Sequence, residues 1–372
     1  MHHFIYSKKD SWIAELSSSA NFGKDEILEL KKEYDKYALK GVSRILVQFD
    51  LAEVSQSVRN NNISNDTAKY YLKLYGTEGN KDSTAEYVLA AYPLSQSWEE
   101  GTGKKFNNPV TKDGVTWDNT NESFAYASWS KAVFDTNSTS GSRSTTGGGV
   151  WITGSNRQAS QSFSYQSTDM EMDVTDIVTN WFSTTASNNG FVVKFSGSQE
   201  TDTTTRGEFK FFSSNTNTIY WPKLEVRWDD HKPCTGSNTG SLTQLTMSGL
   251  VDNYLYMKHL RKQYRESEKV KFRIGARKRY IQKTFSTSPQ TVSGSFIPEG
   301  SGSYSIVDIA SGETVVPFSA YTSMSCDATS NYFIQWLNGF SPDRIYKILY
   351  KLKYEDKQEI IYDDDFEFKV VR

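Results

Sequence analysis

Ala68-Lys69-Tyr70-Tyr71-Leu72-Lys73-Leu74-Tyr75 is the stretch that decides the fold. Apolar and polar residues alternate along it, which sends successive side chains to opposite faces of a β-strand. The pattern recurs on both sides. Ile45-Leu46-Val47-Gln48-Phe49 lies upstream; Glu86 to Tyr92, Phe163 to Asp173, Gly190 to Phe195, Glu208 to Phe212 and Lys223 to Trp228 follow. Seven or more short strands with turn-rich gaps predict a jelly roll or sandwich. Lys24 to Tyr37 is read as another strand, because Asn21-Phe22-Gly23 before it is turn-like. A single short helix is expected at Asp176 to Phe182, with Asp173 or Thr175 near its N-cap. Its Ile177, Val178 and Trp181 share one face against the sheet.

The composition agrees with an all-β chain. Of 372 residues, 14% are aromatic, including 22 Tyr and 21 Phe, residue types that pack well on a pleated surface. The length suits two or three domains. Net charge is −2, which gives no general pull toward nucleic acid or membrane. Residues 1–229 hold 23 Lys/Arg against 28 Asp/Glu, and residues 230–372 hold 19 against 16, so an acidic front precedes a mildly basic back. Asp230 to Ser241 has linker composition. The expected division is therefore a domain over 1–229, a linker over 230–245 and a second domain over 246–372. In the latter, strands are expected at Leu250–Lys258, Glu268–Ile274, Ser303–Ile309, Thr314–Phe318, Tyr332–Trp336, Ile345–Tyr354 and Ile360–Val371. That count fits an immunoglobulin-like β-sandwich.

Between Thr136 and Ser162 a Ser/Thr/Gly-dominated stretch reads as a long excursion loop. Its apolar Val150-Trp151-Ile152 either packs back or meets a partner. Cys234 and Cys326 are too few for a disulfide framework and are expected to be free thiols in a reducing compartment. Met1 to Asp10 has no apolar segment of the signal-peptide kind, and no window approaches the ~20 apolar residues of a membrane helix. The expectation is a soluble chain made in a cytoplasm.

Several landmarks occur in a telling order: Asn21-Phe22-Gly23 with Glu26 to Leu30, Arg44 to Leu51, Trp98-Glu99-Glu100-Gly101-Thr102-Gly103, Gly114-Val115-Thr116-Trp117, Asp173 to Val178 with Trp181, Gly190-Phe191 and Pro222-Lys223-Leu224. Over about residues 5–229 this order resembles the DNRLRE family, the disaggregatase-related jelly-roll module of bacterial and archaeal surface proteins. The long Ser/Thr/Gly insertion and the lack of a signal peptide depart from that family's pattern. Farther on, Tyr332 to Asn338, Pro342 to Ile348 and Ile360 to Arg372 resemble the last domain of structural proteins of large marine tailed phages. Together the resemblances imply a non-enzymatic virion component that docks through its sandwiches. The alternative they imply is an adhesion module for host surface glycans.

Candidate residues follow from chemistry. The four histidines are scattered, with His2 and His3 at an expected exposed terminus, and no Ser/His/Asp or zinc constellation can be assembled. Glu99 and Glu100 beside Trp98 could imitate a glycosidase pair, but the expected role is loop structure, with Gly101 and Gly103 serving backbone geometry. Asp113, Asp118, Asn119 and Asn121 are hard oxygen donors near Trp117, and Asp363-Asp364-Asp365 is either a cation site or a turn; no metal and no cofactor is expected. Trp117, Trp129 and Trp151 are the loop aromatics expected to contact a glycan or partner, against core packing as the plain alternative. Lys269, Lys271, Arg273 and Arg277 form a charged face opposite Val270, Phe272 and Ile274, and are expected to dock an acidic neighbour, with phosphate contact or a merely solvated strand face as the alternatives. Expected partners are other virion structural proteins and copies of the chain itself, or a glycan, with neither membrane nor nucleic acid.

Overall fold

Alternation becomes burial along β4 (Lys69–Leu74): Tyr70, Leu72 and Leu74 are sealed inside while Lys69, Tyr71 and Lys73 are half-buried on the other face. The computed structural model describes residues 1–372 apart from 37, 65, 78–85, 123–127, 130–146, 164–168, 184–185, 205, 249–251, 281–284, 286, 289–293 and 356. It is nearly all β and falls into two units, Ile5–Val226 and Met1–Phe4 with Arg227–Arg372.

Among the described residues, the first unit is built from β1 (His2–Ala14) from Ile5 onward, β2 (Ile27–Asp35), β3 (Ala38–Phe49), β4, β5 (Tyr87–Pro93), β6 (Ala159–Phe163), β7 (Met170–Asp173), β8 (Phe191–Phe195), β9 (Glu208–Phe212) and β10 (Lys223–Arg227) up to Val226. Hydrogen bonding runs in the order β6-β5-β8-β3-β1-β10-β4-β7, with β2 beside β3 and β9 beside β2. Two helices, α1 (Ala52–Arg59) and α2 (Thr175–Ser183), punctuate the strands. The helix α2 begins where expected: Asp173 accepts from the Thr175 amide at 2.9 Å, and Ile177, Val178 and Trp181 are its buried face. The helix α1 and the strand β1 carried too little periodicity to be expected.

Three strands are apolar on both faces. Ile45-Leu46-Val47 on β3, Leu89-Ala90-Ala91 on β5 and Phe191-Val192-Val193 on β8 are all fully buried. A strand can carry apolar residues at consecutive positions only when a layer covers each side. Here one layer comes from described residues between β5 and β6. Leu94, Trp98, Val115, Trp117, Trp129, Val150 and Trp151 join Val42, Leu46, Ala90, Tyr92 and Val192 in one apolar cluster. The Ser/Thr/Gly run expected from Thr136 lies largely in 130–146, outside the described residues. Its described end, Val150-Trp151, packs back on this sheet.

The second unit contains α3 (Gly236–Thr239) and eleven strands: β11 (Thr243–Gln244), β12 (Asn253–Lys258), β13 (Gln263–Arg265), β14 (Lys269–Lys278), β15 (Ser295–Phe296), β16 (Gly302–Asp308), β17 (Thr314–Val316), β18 (Ser325–Cys326), β19 (Asn331–Trp336), β20 (Ile345–Lys353) and β21 (Glu359–Val371). They form two sheets, β11-β15-β14-β19-β18 with β12 against β14, and β13-β21-β20-β16-β17. Aromatic contacts join the sheets: Tyr304 stacks on Phe333 at 3.7 Å between centroids, and Phe272 meets Phe368 at 5.1 Å. The result is a β-sandwich with one apolar core.

Four expectations are corrected in this unit. His2 and His3 are not an exposed end but buried members of β1. The His2 carbonyl accepts from Gln335 at 2.7 Å, and the His3 ring lies 4.7 Å from Trp336. Burial lowers the His3 pKa to about 4. The stretch 230–245 is no free linker, since Cys234, Thr239 and Leu245 are buried within the unit. Cys234 and Cys326 are not free thiols: they form a disulfide, with Cα atoms 5.0 Å apart. Their separation of 92 residues hid that proximity. Asp363-Asp364-Asp365 is not a turn between strands but a bulge inside β21, because Ile348 pairs with Phe366 while Tyr350 already pairs with Tyr362. Asp365 takes the left-handed conformation there, φ 53°.

Candidate functional site

Trp117, Trp129 and Trp151 are 5%, 7% and 2% exposed, so the expected contact residues are core residues instead. The reason is a buried charge. Arg44 projects from β3 toward the covering layer, and its guanidinium carbon lies 4.9 Å from the ring centroids of both Trp117 and Trp151. It donates to Glu200 at 2.8 and 3.2 Å and to the Gly148 carbonyl at 2.6 Å. Lys194 reaches the same carboxylate at 2.8 Å. Burial alone would raise the Glu200 pKa, but Arg44 and Lys194 more than offset it and hold the carboxyl below its usual range. Gly148, at φ 82°, must be glycine, since a Cβ there would stand 2.4 Å from the Arg44 guanidinium. Trp129 is tied down through its indole N–H to the Thr116 carbonyl, 3.1 Å.

The Trp98 to Gly103 motif is a structural knot. The buried Asn21 side chain donates to the Glu100 and Val115 carbonyls at 2.8 and 2.7 Å and accepts from the Gly103 and Gly23 amides at 2.8 and 3.1 Å. All four hydrogen-bonding positions of that amide are used. Gly101 and Gly114 pass so closely that a Cβ on Gly114 would lie 2.4 Å from the Gly101 Cα. Glu100 pairs with Lys24 and accepts from the Asp10 amide, while Asp113 accepts from the amide and hydroxyl of Thr102 at 2.9 and 2.7 Å. Asn119 donates to Glu122. These carboxylates fasten loops, and no group of three or more His, Cys, Asp or Glu poised for a metal occurs among the described residues.

The open aromatic surface of the first unit lies elsewhere, where β10 runs between β1 and β4. Trp221, 36% exposed, stands edge-on to Tyr6 with centroids 5.6 Å apart. Tyr75 meets Tyr220 at 5.3 Å, and Tyr220 stacks on Phe212 at 5.7 Å. Between these groups the Lys223 ammonium lies 5.5 Å from the Tyr6 ring and 5.2 Å from the Tyr75 ring. Tyr6, Tyr75, Phe212 and Tyr220 are each partly exposed. The Trp221 indole is oriented by donation to the Thr216 carbonyl at 3.1 Å. On the same strands Lys73 pairs with the fully buried Glu225 at 2.7 Å. The surface thus offers several ring faces and edges around one cation, a pattern suited to the apolar faces and hydroxyls of a sugar. None of these residues was expected. A signal existed: Tyr71, Lys73 and Tyr75 alternate outward from Tyr70, Leu72 and Leu74, and Tyr220-Trp221 stand before Pro222.

A cleft of about 320 Å³ opens at the end of β3, lined by Lys8, Gln48, Asp50, Trp181, Phe182 and Asn188 among others. Its amides are spent internally, Gln48 on the Asn188 carbonyl at 2.6 Å and Asn188 on the Phe49 carbonyl at 2.9 Å.

In the second unit the cations expected to form a docking strip are partly neutralised. Lys271 and Arg273 converge on Asp327, each at 2.8 Å. Their hydrogen bonds hold the Asp327 carboxyl far below its ordinary pKa against the opposing effect of burial. Lys269 covers the Trp336 ring at 4.8 Å, and Arg277 covers Tyr254 at 4.7 Å.

Residues 3–139, little more than a third of the chain, match the model of carbohydrate-binding module family 96. No curated protein matches the chain.

Proposed function

We propose that the chain is a non-catalytic glycan-binding protein whose first unit holds sugar on the surface formed by Tyr6, Tyr75, Tyr220, Trp221 and Lys223. The observation that carries this reading is that exposed ring cluster. It lies on the β unit whose opening strands are similar to a carbohydrate-binding module. Affinity would come from stacking on rings already held in place, so little ordering entropy opposes it. Lys223 and the Tyr hydroxyls would supply the polar contacts that orient the sugar. A place in a virion remains what the C-terminal resemblance implies; it is tested by whether the chain co-purifies with particles at fixed stoichiometry.

The test of sugar binding is affinity electrophoresis of the full chain through gels containing a panel of polysaccharides. Replacing Trp221 and Tyr75 by Ala is expected to weaken retardation about tenfold, the equivalent of ~1.4 kcal/mol, with an unchanged circular dichroism spectrum. A glycan whose retardation is untouched by the double change would move the site elsewhere. Failure of every glycan to retard the native chain would remove the reading altogether.

A further inference from the structure

We infer that the second unit carries its own binding site, for an anionic polysaccharide, on the outward face of β12 and β14. The site rests on the glycan reading only for the class of polymer; its geometry is independent. On β12, Tyr254, Tyr256 and Lys258 point outward while Leu255 is buried in the core. Register places them opposite Arg277, Gly275 and Arg273 on β14. Gly275 is the key residue. A Cβ there would stand 2.4 Å from Cζ of Tyr256, so the absence of a side chain lets that ring lie flat across the neighbouring strand. Tyr254 is near-parallel to it, with centroids 6.0 Å and planes 19° apart, and is 37% exposed. The Arg277 guanidinium lies 4.7 Å from the Tyr254 ring centroid and, among the described residues, donates to the Lys278 and Arg279 carbonyls. Lys258 donates to the Thr329 carbonyl at 2.7 Å. Neither cation has a carboxylate partner among the described residues.

Two tyrosine rings in line along an edge strand, with an unneutralised cation at each end, form a track about 13 Å long. It fits a polymer that presents flat apolar ring faces and regularly spaced carboxylates or sulfates. Nucleic acid fits less well, because backbone binding draws its strength from neutralising many phosphates at once, and Asp327 already consumes Lys271 and Arg273. A protein partner would leave Lys258 at an interface of a kind from which lysine is depleted.

The experiment measures retardation of the full chain by dextran sulfate, polygalacturonate and uncharged dextran at low and high salt. Dextran sulfate and polygalacturonate should retard the chain, dextran should not do so through this face, and molar salt should abolish the difference. Tyr254→Ala with Arg277→Gln should weaken anionic retardation about tenfold, while Trp221→Ala with Tyr75→Ala leaves that component intact. Gly275→Ala, which pushes the Tyr256 ring off the sheet without removing any ligand group, should act in the same direction. Equal retardation by dextran and dextran sulfate, an unaffected Tyr254/Arg277 variant, or tighter binding of a single-stranded oligonucleotide would each overturn the inference. Loss of neutral-glycan binding in the Trp221/Tyr75 variant alone would bear only on the first unit.

Discussion

Glu200→Gln is the perturbation that most directly tests how the covering layer is held. Glu200 lies between two cations, Arg44 and Lys194, and all three are at least 95% buried. At an effective dielectric constant of ~20, one opposite-charge pair at 4 Å is worth about 4 kcal/mol. The neutral amide forfeits two such attractions and leaves Arg44 and Lys194 repelling each other out of water. Against that loss stands the relief of no longer burying a carboxylate. Breaking one buried pair costs about 3–5 kcal/mol, and two cations sharing one anion put Glu200→Gln at the upper end. Domain stabilities are roughly 5–15 kcal/mol, so the first unit should lose a large part of its stability.

Urea unfolding followed by tryptophan fluorescence reads this unit directly, because Trp117 and Trp151 flank Arg44. Lys194→Met supplies the contrast. It leaves one Arg44–Glu200 pair and removes the cation whose own pKa is lowered, first by burial and further by the charge of Arg44. That change breaks one buried pair but leaves Glu200 paired with Arg44 and removes the Arg44–Lys194 repulsion, so it should cost less than Glu200→Gln, about 3 kcal/mol, the low end for a broken buried pair. Adding Lys194→Met to Glu200→Gln should recover about 1–2 kcal/mol by removing the repulsion. The pH dependence has a definite sign. The folded Glu200 pKa lies below its unfolded value, so this stabilisation is complete above about pH 4.5 and is lost as pH falls through the folded value. A Glu200→Gln cost below 1 kcal/mol, or a Lys194→Met cost equal to it, would refute the account.

Three further outcomes are expected. Reduction of Cys234–Cys326, or Cys326→Ser, opens a cross-link across 92 residues and should destabilise the second unit by about 4–5 kcal/mol on the chain-entropy scale, read by calorimetry with and without dithiothreitol. Asn21→Ala leaves two buried amides and two carbonyls without their side-chain partner; a loss of about 2–4 kcal/mol is expected, measured by the urea midpoint of the first unit. His3, with its folded pKa lowered from 6.5 to about 4, binds fewer protons folded than unfolded across that window, so stability should fall by up to about 3 kcal/mol between pH 7 and pH 4; His3→Phe should flatten that part of the pH profile.

The sequence showed the strands that carry alternation and the order in which they come. Tyr70, Leu72 and Leu74 against Lys69, Tyr71 and Lys73 can be read by eye. β1 could not be read this way. Its opening His2-His3-Phe4-Ile5-Tyr6-Ser7-Lys8-Lys9 has no two-residue period, and it is a strand because β3 and β10 flank it. Within α1 only Val54 and Ser57 are buried, so no helical stripe existed to find. The disulfide depends on a contact between residues 92 positions apart, which no local pattern encodes. The glycines of the Trp98 motif were read correctly as backbone devices, because a turn-rich motif between strands demands that reading.

The tryptophans mislead for a reason that can be generalised within this fold. Trp117, Trp129 and Trp151 stand among loop residues, and loops usually lie at the surface. Yet Ile45-Leu46-Val47 and Phe191-Val192-Val193 break the alternation that a solvated sheet face requires, so a second layer had to cover those strands. The segment between β5 and β6 holds the large aromatics that could do so, and Arg44 amid the apolar run needs ring faces and a carboxylate to be buried at all. A surface open to a sugar has the opposite signature: strict alternation, with aromatics and cations on the outward positions. Tyr71, Lys73 and Tyr75 meet it in the first unit, and Tyr254, Tyr256 and Lys258 meet it in the second. In this chain the broken period of β3 and β8, rather than a position in a loop, marks which tryptophans are covered.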